Sequence, residues 1–223
     1  MATRVVKSYQ DKTDALRLAV QQSGVSVQIE LSPVLRGTVF VVQPLSVRES
    51  VENEFGFAEI QVVSLADLYA GKLCAAFDRQ HPRDFFDVLL LLENEGITEQ
   101  IRQAFIAYLF SHPRPSEELL APRWKDIDGQ YQGEFSGMAR RSITVSELKM
   151  AAFSAFKILL SNFTEQEKNL IVSVYDSEPL WKNSPIEHAQ YLPAVIWKLQ
   201  NIAKMPEAKR ESSQQALKKV LGV

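Results

Sequence analysis

The chain has 223 residues, 46% of them hydrophobic and 23% charged, with a formal net charge of −2 from 25 basic and 27 acidic side chains. That composition excludes a disordered, collagenous or coiled-coil protein. The balanced charge gives no sign of a nucleic-acid partner, although a local basic patch can sit inside a neutral total. One cysteine, Cys74, excludes an internal disulfide and a four-cysteine zinc site. The longest apolar run, Ala104 to Phe110, is seven residues, against the roughly 20 that a bilayer crossing needs. The opening MATRVVKSYQ has no apolar signal region, so the reducing cytoplasm is the expected compartment and no membrane contact is expected.

Taken in chain order, Asp11 to Gln22 reads as a short helix on Ala15, Leu16, Leu18, Ala19 and Val20, closed by Gly24. Val25, Val27, Ile29 and Leu31 alternate with polar residues, which predicts a strand over 25–31 with one apolar face. Residues 38–42, TVFVV, read as a short buried strand, 43–57 as a loop or short helix, and 58–63 as a third strand. Ser64 and Asp67 form a capping-box-like start for a helix running to about Arg79. His81-Pro82-Arg83-Asp84 opens the next helix, with proline at its first position, and Gly96 closes it.

Thr98 caps a third helix through Ile101, Phe105 and Leu109. Residues 111–140, broken by three prolines and three glycines, read as irregular. Thr144 or Ser146 then caps a long helix and Thr164 caps another. Pro193 starts or kinks an apolar segment over 188–203, and a charge-rich helix runs over 206–221. The expected fold is α+β: a small three-strand remnant followed by a mainly helical C-terminal region. The expected division is a first domain over 1–97, with strands near 25–31, 38–42 and 58–63 and a helix corner over 65–95, and a helical domain over 98–223.

The densest polar cluster is GKLCAAFDRQHPRDFFD, residues 71–87. Lys72 and Arg79 are seven apart and share a helix face two turns apart. Asp84 and Asp87, three apart, share a face of the next helix beside Arg83. A short turn would bring both sets together. Such an array suits phosphate chemistry, with Lys72, Arg79 and Arg83 neutralising a polyphosphate and Asp84 and Asp87 orienting those cations. On the residues alone, a helix-corner salt-bridge network is the favoured reading, with Asp84 placed by the helix dipole, because structural ion pairs also cluster like this. Glu30, on the polar face of its strand, could offer a hard oxygen to Mg²⁺ or stand in solvent. Glu147-Leu148-Lys149 has the spacing of a metal-dependent nuclease but falls at a helix start. Cys74 reads as a small core residue.

Four segments carry a family resemblance: VQIELSPVLRGTV (27–39), SLADLYAGKLCAAFDRQHPRDFFDVLLLLENEGI (64–97), FSGMARRSITVSELK (135–149) and YLPAVIWKLQNIAK (191–204). They resemble the AbiEii/AbiGii-type nucleotidyltransferases, the toxin halves of bacterial type IV toxin–antitoxin and abortive-infection systems. The resemblance implies a polymerase-β-like fold, and transfer of a nucleoside monophosphate from an NTP, with Mg²⁺, to an RNA such as tRNA or to a protein. It assigns Glu30 as a metal ligand, Lys72, Arg79 and Arg83 to nucleotide phosphates, and Lys72, Asp84 and Asp87 to catalysis. It also implies a cognate antitoxin.

The family's glycine motif followed by Asp-x-Asp does not stand upstream of Glu30. The expectation is therefore an N-terminally truncated chain, inactive alone. The alternative expectation is a non-catalytic member that binds an antitoxin or forms a homodimer.

Overall fold

The computed structural model describes residues 4–10, 16–31 and 37–223. The chain divides into two compact units, Met1–Arg36 and Gly37–Val223. The first is an antiparallel three-stranded sheet of β1 (Arg4–Gln10), β2 (Leu16–Gln22) and β3 (Val25–Leu31), in that order. β2 and β3 form a hairpin in register from Leu16↔Leu31 to Gln22↔Val25. Its turn is Ser23-Gly24, with φ of 51° and 81°. Two successive positive φ values give the tight turn whose twist matches that of its strands.

The expected helix over 11–22 is therefore corrected for residues 16–22; residues 11–15 lie outside the described residues. Leu16, Leu18 and Val20 also fit a period of two, and the Ser-Gly turn ties them to the strand that follows. Gly24 supplies its positive φ to a hairpin and not to a helix end.

In the second unit, residues 38–42 do not form the expected strand. The Asp67 carboxylate takes the backbone N–H groups of Val39 (2.7 Å) and Phe40 (3.0 Å), donors that a strand would have given to a neighbour. The strand begins just beyond, as β4 (Gln43–Ser46). It leads into α1 (Glu49–Phe55) and back along β5 (Glu59–Val62), antiparallel to β4.

The rest is helical: α2 (Leu65–Arg79), α3 (Pro82–Asn94), α4 (Glu99–Ser111), α5 (Ser116–Leu120), α6 (Asp128–Glu134), α7 (Val145–Ser161), α8 (Glu165–Ser173), α9 (Pro193–Ala203) and α10 (Glu207–Leu221). Short α5 and α6 thus interrupt the region read as irregular. Ser64, Thr98, Thr144 and Thr164 each cap their helix through the side-chain oxygen, the last two in full capping boxes. Among the described residues, no helix is long and apolar enough to cross a membrane.

The core lies where α2 packs on α4 and α3 packs on α7. Leu73, Phe77, Phe85, Leu91, Phe105 and Leu148 are fully buried there. Phe77 meets the rings of Phe105 and Phe156 edge-on at 5.9 and 5.4 Å, a geometry that adds to simple area burial. Buried charged side chains brace this core. Arg102 pairs with Glu167 across α4 and α8. The Lys198 ammonium, on α9, donates to the carbonyls of Leu109, His112 and Arg114, closing the C-terminal end of α4.

Candidate functional site

The site is built on the turn between α2 and α3. Gln80 ends α2 in the left-handed conformation (φ 56°, ψ 42°). A β-carbon is disfavoured there, and the side chain compensates. Its amide nitrogen donates to the Arg123 carbonyl (2.9 Å), and its oxygen accepts from the Lys125 N–H (2.7 Å). His81 follows as N-cap of α3, its Nδ1 accepting the Arg83 N–H at 3.1 Å, and Pro82 takes the first helical position. The chain therefore reverses within two residues. The polar faces of α2 and α3 meet beside an apolar face already committed to the core.

Two ion pairs join those faces. Lys72 Nζ lies 2.7 Å from Asp87 Oδ2, and Arg79 Nη2 lies 2.6 Å from Asp84 Oδ1. Asp84 is buried, and among the described residues its Oδ2 has no hydrogen-bond partner. α6 supplies a third acid: Glu134 contacts His81 at 3.0 Å and Arg83 at 3.7 Å. Lys72, Arg79, His81, Arg83, Asp84 and Asp87 line a cleft of about 570 Å³, whose remaining wall is Phe86, Gln130, Phe135, Met138 and Ala139. The Phe86 and Phe135 rings are 5.5 Å apart. On α2, burial and then the nearby Glu95 and Asp87 carboxylates push the Tyr69 hydroxyl above its ordinary pKa.

Lys72, Arg79, Arg83, Asp84 and Asp87 are thus brought into one cleft. Glu30 sits in β3 of the other unit, in register with Arg17, and its side chain lies outside the described residues. The spacing of polar residues could not supply the α6 wall, because no helical period marks 128–134. Gln80 carries no motif signal either; its role rests on a backbone conformation.

The donor set decides which ligand suits the cleft. Three carboxylates, Asp84, Asp87 and Glu134, face Lys72, Arg79 and Arg83, yet these cations present more N–H donors than the ion pairs consume, which suits an anion. Mg²⁺ needs hard oxygens free of competing cations. Here one oxygen of each carboxylate is already taken by a cation. Among the described residues, no group of three or more histidine, cysteine, aspartate or glutamate side chains is placed to hold a metal. The cleft's own residues fit a polyanion and do not fit Mg²⁺.

The nuclease-like pair dissolves in the structure. Glu147 closes its capping box onto Thr144, which holds the carboxyl below its usual range. Lys149 turns to Asp126 (3.3 Å) and Asp128 (2.8 Å).

Residues 2–162 match the family described as "Nucleotidyl transferase AbiEii toxin, Type IV TA system". The match covers most of the chain, including β3, the α2–α3 corner and α7; residues 191–204 lie beyond it. No curated protein and no solved structure matches. The chain belongs to the AbiEii nucleotidyltransferase toxin family.

Proposed function

We propose that this AbiEii-family chain binds a nucleoside triphosphate in the α2–α3 cleft and serves transfer of its nucleoside monophosphate to a hydroxyl of an RNA or a protein. In that reaction the acceptor oxygen attacks the α-phosphorus, the bond to the β-phosphate oxygen breaks, pyrophosphate leaves and the acceptor loses its proton. The supporting observation is the convergence of Lys72, Arg79 and Arg83 on one cleft, where Asp87 and Asp84 hold the first two in place. Lys72 and Arg83 bind the phosphates. Asp84 and Asp87 act by orienting Arg79 and Lys72, and with Arg83 these cations stabilise charge on the leaving pyrophosphate. As the toxin of a toxin–antitoxin pair, the chain would be countered by a cognate antitoxin.

A second reading has its own observation. Lys72 and Arg79 are already engaged in ion pairs, which suits a corner that only stabilises a non-catalytic, partner-binding protein.

Titration of the chain with a fluorescent NTP analogue, followed by incubation with labelled NTP and RNA, separates the two. Under the first reading, Lys72→Ala and Arg83→Ala each weaken NTP binding about tenfold or more, at about 1.4 kcal/mol per decade, while thermal stability changes little. If both variants bind as the parent does, or the parent binds no NTP, the cleft is structural. The same incubation tests the expectation that the chain is inactive alone.

A further inference from the structure

The segment β4–α1–β5 folds without burying its apolar side chains. α1 has no buried residue, and β4 is exposed along its whole length. Phe55 is 76% exposed, Phe57 67% and Ile60 65%, with Leu45 and Leu65 also above half. A continuous run of this kind on a folded protein marks a docking surface. A two-stranded sheet is also marginal alone and gains from a third strand. Among the described residues, β5 pairs with β4 and no other strand. Pro44 removes an N–H from β4, whereas β5 has no proline, so β5 is the edge that can accept a strand.

Charge selects the occupant. Glu49, Glu52, Glu54 and Glu59 lie in and beside the apolar run, against Arg48 alone. A second copy would set these carboxylates against their own kind, and nucleic acid or an anionic lipid surface would be repelled. A basic chain complements them.

We propose that this face docks an extended segment of another protein, which adds to β5 as a third strand and alternates basic with apolar residues. The alternation follows from β5 itself. Glu59 and Gln61 share one face of the strand, and Ile60 and Val62 the other. An incoming strand therefore meets acid and amide on one side and branched apolar side chains on the other, the cross-strand pairs that stabilise a ladder. This surface is separate from the nucleotide reading of the α2–α3 cleft.

The test uses the full chain and two synthetic peptides, one alternating lysine with valine and one alternating glutamate with valine. Amide hydrogen exchange is followed over residues 59–62. The lysine peptide slows exchange there at least tenfold, its affinity falls at least fivefold between 50 and 500 mM salt, and the glutamate peptide gives no protection. Glu59→Lys, at an exposed position, leaves the circular dichroism spectrum intact and weakens the lysine peptide at least fivefold. The proposal is overturned if the lysine peptide gives no protection at millimolar concentration or if both peptides protect equally. Protection that grows with protein concentration in the absence of peptide would likewise overturn it, in favour of a second copy.

Discussion

Helix α2 and helix α1 lie either side of β5, yet they obtain their order from different sources. α2 buries Leu73, Ala76 and Phe77 on one face and fixes Lys72 and Arg79 on the other, so its polar side chains inherit the rigidity of the core. α1 buries nothing; it is held by its own backbone bonds and by the β4–β5 ladder. The contrast teaches where each kind of function can sit. Charges that must meet a ligand at fixed separations need a packed helix behind them. A surface that receives a partner can wait for that partner to complete its packing.

The strongest way to break this contrast is to truncate one aromatic on each side. Phe77→Ala removes a side chain packed against three rings and should cost about 3–5 kcal/mol by urea unfolding. Phe55→Ala, at an exposed site, should stay within about 0.5 kcal/mol. Equal losses from the two would mean that α1 is integrated into the fold as fully as α2.

A smaller effect, of about 3 kcal/mol at most, comes from Lys198. Burial lowers its pKa to about 8 from an ordinary 10.5, outweighing the nearby Glu117, which favours the charged form. Below pH 8 both folded and unfolded states carry the proton and the full penalty for burying the charge applies. Between pH 8 and 10.5 the unfolded state holds more protons, so stability rises with pH. Denaturation midpoints measured across that window should climb for the parent and stay level for Lys198→Met. Tyr175, raised above its ordinary pKa chiefly by burial, acts in the opposite sense above pH 10.

Asp67→Ala sharpens the contrast at its boundary. The substitution strips an acceptor from Val39 and Phe40 and weakens the cap at Ser64. About 2 kcal/mol should be lost, and hydrogen exchange at Val39 should accelerate. An unchanged rate there would show that another group holds residues 39–40.

The same two regions show what a sequence can and cannot reveal. The α2–α3 corner was legible because its signals are local. Ser64 and His81-Pro82 mark helix starts, and the spacings of Lys72 with Arg79 and of Asp84 with Asp87 place charges on faces. Strand 25–31 announced itself by strict alternation.

The failures came from long-range partners. TVFVV reads as a strand, but Asp67, 28 residues beyond Val39, takes its donors. Leu16–Gln22 satisfies both helical and strand periods, and only the Ser23-Gly24 turn decides between them. Gln130 reaches the cleft from a helix with no buried residue and therefore no apolar period, and Phe135 reaches it from the residue that ends that helix.

Gln80 carries a consequence beyond its own turn. A glycine would adopt that backbone more readily, but it could not grip the chain at residues 123 and 125. The angle between the two cleft-forming helices is thus moored to a stretch more than forty positions downstream. Residues 64–97 transplanted onto a foreign scaffold would bring every charged group with them and still lose the mooring that sets the opening between those helices.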